Sequence, residues 1–108
     1  MYLSFKRINA RLRRDNALEI ILAARYAPAT FTFRYLEDMA GTRSSISMKF
    51  IQREQILNYV KKNEKGRLIY ELGDRYKEWL AYLLSELEKP DTKYSPVHRL
   101  EYKKPGYK

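Results

Sequence analysis

Cysteine is absent and histidine occurs once, as His98, so the chain can form neither a disulfide nor a thiolate or imidazole cluster for structural zinc. Four glycines are too few for a glycine-rich phosphate cradle. Nowhere does an apolar run approach the ~20 residues that a membrane span needs. The opening stretch, MYLSFKRINARLRR, lacks the continuous apolar core and small-residue cleavage site of a secretory signal. These absences predict a cytoplasmic protein with no membrane partner, no metal and no cofactor.

What is present suffices for one domain. A chain of 108 residues, 44% of them hydrophobic, can bury roughly 65% of its unfolded surface in a single core. Charged residues make up 32% and the mean hydropathy is −0.66, the balance of a water-soluble surface. The net charge of +9 is not spread evenly. Residues 1–14 carry five basic and no acidic groups, residues 42–67 seven and two, and residues 91–108 five and two. The intervening stretches 15–41 and 68–90 are each net acidic by two charges. Cations concentrated in particular elements fit a polyanionic partner, because neutralising phosphates releases condensed counterions.

Local patterns then place the elements. Tyr2, Phe5, Ile8 and Leu12 recur at helical spacing among basic residues, predicting a basic helix or extended arm over 1–14. Asp15 or Asn16 can cap a following core helix, ALEIILAARY, which ends before Pro28. A short β-rich run, ATFTF, leads into the helix FRYLEDMAG, which Gly41 is placed to terminate. Over residues 43–55 a further helix is expected, capped by Thr42 or Ser44 and presenting a polar, basic side. ILNYVKK and RLIYEL, joined by NEKG, read as a β-hairpin. Gly73-Asp74 then opens a long helix, DRYKEWLAYLLSELEK, whose apolar stripe is wider than one partner surface requires. The predicted class is α+β, mostly α. It divides into a basic segment 1–14, a domain 15–89 and an extended, basic, tyrosine-rich tail 90–108.

The stretches FRYLEDMAG, TRSSISMKFIQRE and KKNEKGRLIYELGDRYKEWL, in that order, resemble the winged helix-turn-helix domain of small bacterial and archaeal transcription regulators. The likeness covers residues 16–89 and rests on the order of elements and a few hydrophobic positions. Two departures stand out: Arg53 occupies a place usually aliphatic, and no glycine separates the third helix from the hairpin. The resemblance implies a double-stranded DNA-binding protein, a regulator or a chromatin-type, nucleoid-associated component. Its recognition helix would use Arg43, Ser44, Ser45, Lys49, Gln52 and Arg53 in the major groove, the binding mode open to a helix. Lys61, Lys62, Lys65 and Arg67 would grip the backbone from the wing, with Arg11, Arg13 and Arg14 extending the footprint. It also implies a homodimer, for which Trp79, Leu80, Leu84 and Leu87 of the last helix are the expected interface.

Other chemistries find less support. Glu37 and Asp38 are adjacent and so lie on different helix faces, which does not make an acid/base pair. Ten tyrosines supply no nucleophile without converging histidines or arginines around one of them. The chain is therefore expected not to be an enzyme. Tyr94, Tyr102 and Tyr107, interleaved with basic residues, have the composition that stacks on exposed bases. They sustain an alternative, an RNA-binding component of a ribonucleoprotein that uses its basic ends. A winged-helix adaptor between proteins of the transcription or replication machinery is the other.

Overall fold

The computed structural model describes residues 1–88, and the tail from residue 89 onward lies outside them. Five α-helices and one two-stranded antiparallel sheet follow in the order α1 (Phe5–Arg14), α2 (Leu18–Ala23), α3 (Phe33–Ala40), α4 (Met48–Arg53), β1 (Leu57–Lys62), β2 (Leu68–Leu72) and α5 (Tyr76–Glu88). A 3-10 turn, Ala24–Tyr26, extends α2 toward Pro28. This mostly helical α+β layout is compatible with a winged helix. No helix among the described residues is long and apolar enough to cross a membrane.

Most of the basic segment 1–14 is an integral helix, α1, which begins at Phe5. Ser4 caps α1 by accepting from the Arg7 amide at 3.3 Å, and three arginines in its last turn complement the helix dipole. Ile8 and Leu12 are fully buried and Phe5 packs on the Tyr82 ring of α5 at 5.8 Å. Burial of each such side chain contributes roughly 1.5–3 kcal/mol, so α1 is bound to the core by its apolar face. Asn16 does not cap α2; it sits at φ 58°, and its amide donates to Thr42 Oγ1 and the Arg43 carbonyl, both at 2.7 Å. The junction between the first two helices is thereby tied to the α3–α4 connection.

The β-rich run expected after Pro28 reduces to one residue. Phe31 makes a two-way backbone bridge to Tyr70 of β2 (2.9 and 2.7 Å), before Thr32 caps α3 by accepting from the Tyr35 amide. Gly41 ends α3 at φ 74°, the left-handed conformation that glycine adopts without steric cost.

The helix expected over 43–55 is much shorter, and side-chain bonding explains why. Ser44 uses its hydroxyl to donate to the Asp15 carbonyl (2.7 Å) and to accept from the Ile46 amide (2.9 Å), while its amide donates to Glu37 (3.1 Å). Those bonds hold the connection non-helical, as serine side chains do when they satisfy backbone groups locally. Ser47, not Thr42 or Ser44, is the N-cap of α4. At its other end the chain leaves α4 through Gln55 at φ 60°. Gln55 thus performs the turn for which a glycine is usual, at a conformational cost of order 1 kcal/mol. The glycine that makes this corner possible is Gly73, across from it: a Cβ there would overlap the Gln55 carbonyl. The approach is used, because Gly73 donates to Ile56 O at 2.8 Å and Arg75 to Gln55 O at 2.9 Å.

The hairpin forms as the alternating pattern predicts. Asn63 closes the turn, exchanging backbone bonds with Arg67 and Gly66, and the ladder pairs Leu57 with Leu72, Tyr59 with Tyr70, Lys61 with Ile69 and Lys62 with Leu68. Val60 forms a bulge between Tyr59 and Lys61.

Candidate nucleic-acid interface

On α4, Phe50 and Ile51 are buried and fix the inward side. At about 100° per residue, the outward side is then centred between Lys49 and Gln52, with Met48 on one flank and Arg53 on the other. Lys49 is exposed there. The Gln52 side chain lies beside the Tyr70 hydroxyl, next to the hairpin; burial raises the Tyr70 pKa and the neighbouring Gln52 opposes that rise.

Register then separates the hairpin cations. Side chains alternate across a strand, so Leu68 and Tyr70 share one face of β2, and Lys62, opposite Leu68, stands on that same face. This is the face of Tyr70, beside which Gln52 lies. Lys61, opposite Ile69, points to the other face, away from α4. Lys65 lies at the exposed tip, and Arg67 lines a groove with Met48 and Arg34. Register thus puts Lys61 and Arg67 on the strand face opposite Lys62, although Lys61, Lys62 and Lys65 line one depression of about 400 Å³ at the hairpin tip and Arg67 borders the groove beside α4.

The α3–α4 connection also departs from expectation. Arg43 is engaged with acidic partners, its Nη2 lying 3.2 Å from Asp38 and its Nε 4.0 Å from Glu37. Ser44 has its amide and hydroxyl committed to the fold, as described above, and is a scaffold residue; Ser45 remains exposed. Arg53 reaches Glu54 at 3.3 Å and lies over the Phe50 ring at 5.7 Å, but its side chain is still 68% exposed.

Along α1, the helical repeat places Arg7, Arg11 and Arg14 together on the side facing α4, where the Arg11 guanidinium covers the Phe50 ring at 4.6 Å. Asp15 partly neutralises this row: Arg11 Nε is 2.8 Å and Arg14 Nε 3.5 Å from its carboxylate, and the Arg11 hydrogen bond foremost lowers the Asp15 pKa. Arg13 turns the other way. It lines a small depression of about 140 Å³ with Lys6, Asn9, Tyr82 and Glu86 on the α5 side, so it does not join Arg11 and Arg14. Arg7 takes its place in the row. The spacing Arg7, Arg11, Arg14 was visible in the sequence, but the inward face had to be known to choose it over Arg13.

The expected dimer residues divide as well. Trp79 is fully buried and donates from Nε1 to Asn9 Oδ1 at 2.6 Å, so it belongs to the core between α1 and α5 and not to an intersubunit surface. Leu80 is half-buried, whereas Leu84 and Leu87 are 40% and 39% exposed. Among the described residues no group of three or more acidic or histidine side chains could hold a metal ion. His98 and the tail tyrosines Tyr94, Tyr102 and Tyr107 lie outside the described residues.

No protein-family model, curated protein or solved structure matches the chain.

Proposed function

We propose that this protein binds double-stranded DNA as a winged helix-turn-helix domain, with α3 supporting, α4 entering the major groove and the hairpin serving as the wing. The observation that carries this reading is the shared face of α4 and the hairpin: Lys49 is exposed on the outward side of α4 next to Gln52, and Lys62 stands on the hairpin face of Tyr70, the residue beside which Gln52 lies. Ser45, Arg53 and Lys65 are exposed on or beside the same elements, Arg67 borders the groove beside Met48, and Arg7, Arg11 and Arg14 continue the cationic surface along α1. Because α4 spans only about 9 Å at 1.5 Å per residue, it offers few base-reading positions, and phosphate contacts supply most of the affinity. A chromatin-type or regulatory role in the nucleoid follows from such binding.

Its test is salt dependence. With about five phosphates contacted, duplex affinity should fall roughly 500-fold between 50 and 200 mM salt, read by fluorescence anisotropy. A flat response would sink the proposal. An RNA hairpin titrated in parallel decides the ribonucleoprotein alternative, which tenfold tighter RNA binding would favour. An adaptor between proteins would bind neither. Pairing of two copies through Leu80, Leu84 and Leu87 belongs to the same proposal, since two half-sites need two domains. Leu84→Glu should then convert a dimer to a monomer in sedimentation velocity; a wild-type protein that stays monomeric at 100 µM removes the pairing.

A further inference from the structure

The outer edge of β2 is left open beside an apolar groove. Residues 67, 69 and 71 direct their backbone groups to β1, so Leu68 and Tyr70 direct theirs outward. Phe31 satisfies Tyr70 in both directions. The antiparallel neighbour of Leu68 would be residue 33, but the chain turns into α3 there, and no hydrogen bond to the Leu68 amide or carbonyl occurs among the described residues. Next to that unpaired step lies a groove of about 370 Å³, floored by Phe33, Met48, Leu68 and Tyr70 and rimmed by Arg34 and Arg67.

We propose that this groove docks an extended peptide of another protein, alternating apolar and acidic residues, that adds as a strand to β2 at Leu68. Strand addition supplies main-chain bonds, and the alternation of side chains supplies selectivity. The guest's apolar side chains share the Leu68–Tyr70 face and cover the groove floor. Its intervening side chains share the opposite face with Ile69 and Arg67, where carboxylates meet a guanidinium. Arg34 pairs with Asp38 at 3.2 Å, but both are more than half exposed, and such a pair exchanges partners at little cost. The chain's own tail is the wrong occupant, since residues 91–108 carry five basic groups against two acidic.

The probe is a fluorescein-labelled hexapeptide alternating valine and aspartate, titrated with the full chain by anisotropy. Binding should weaken at least tenfold when the guest amides that face Leu68 are N-methylated, and at least tenfold for Arg67→Glu in the protein. Equal binding of the N-methylated peptide, or of a valine–lysine peptide, overturns the proposal by showing that no strand is added or that charge is not read. The N-methyl comparison leaves the protein untouched, so it stands even if Arg67→Glu disturbs the hairpin. Absence of peptide binding by protein that still binds duplex overturns this inference alone. Peptide binding with these responses by protein that ignores duplex supports it and overturns only the DNA reading.

Discussion

Replacing Arg75 by methionine should destabilise the protein by about 3 kcal/mol, the lower end of the usual cost of removing one partner of a buried charge, because Arg53 still reaches the other carboxylate oxygen at 3.3 Å. The charge concerned is Glu54, which is 1% exposed at the end of α4. Arg75 Nη1 reaches Glu54 Oε1 at 3.3 Å and the Glu54 carbonyl at 3.2 Å, while Nη2 donates to the Leu3 carbonyl at 3.2 Å. The circle closes when the Leu3 amide donates to Glu54 Oε1 at 2.9 Å. Tyr2 and Phe5 flank the guanidinium, their ring centroids 4.3 and 4.7 Å from its carbon, which adds cation–π attraction and keeps water out. One arginine thus joins the amino terminus, the end of α4 and the start of α5. For a domain of this size the loss corresponds to a fall in Tm of more than about 12 °C. Arg75→Lys, which keeps charge but not the planar fork, should lie between. The double variant Glu54→Leu, Arg75→Met should be less damaging than Arg75→Met alone, because it removes the buried carboxylate that the exposed Arg53 would otherwise neutralise alone. A loss below about 1 kcal/mol by urea unfolding would show that water reaches Glu54 and that the network is not a clamp.

That clamp was invisible in the sequence, and the reason is instructive about which features can be read from one chain. The hairpin, the Gly41 stop of α3 and the long last helix rest on local rules, namely alternation, left-handed glycine and helical repeat, and each was legible. Nothing local marks Glu54 as buried, because its partner Arg75 lies 21 positions away with no period connecting them. The same holds for Ser44, whose bond to Asp15 spans 29 positions and turns an expected first turn of helix into an extended connection. For Trp79, amphipathic periodicity identified an apolar stripe but could not assign its two edges; Asn9, in another helix, draws the indole inward and leaves Leu84 and Leu87 outside. Among the candidate site residues, composition pointed to two elements, α4 and the hairpin. Which of their cations act together depends on register, and the bulge at Val60 sets that register in a way no alternation rule forecasts.

Reversing Lys49, Lys62 and Lys65 together to glutamate should reduce duplex affinity by at least 100-fold at 50 mM salt. Three of about five proposed phosphate contacts are then lost, so the slope of log K against log salt should shrink by about 2.7, from about −4.5 to about −1.8. The comparison that gives this result meaning is a second triple variant, Lys6→Glu, Lys61→Glu and Lys77→Glu, which changes the net charge by the same amount. Lys6 borders the α5 side, Lys77 lies on α5, and Lys61 is the immediate neighbour of Lys62 on the opposite hairpin face. If affinity followed net charge alone, the two triple variants would weaken binding equally. If a defined face carries it, the second set should weaken binding less than tenfold, through the general field of the molecule, and leave the salt slope nearly intact. All six positions are exposed, so both variants should unfold within a few degrees of the parent, and loss of binding can be read as loss of contact. Equal losses in the two sets would mean that Lys61 and Lys62 contribute alike, and that the division of the hairpin into a binding and a non-binding face is wrong.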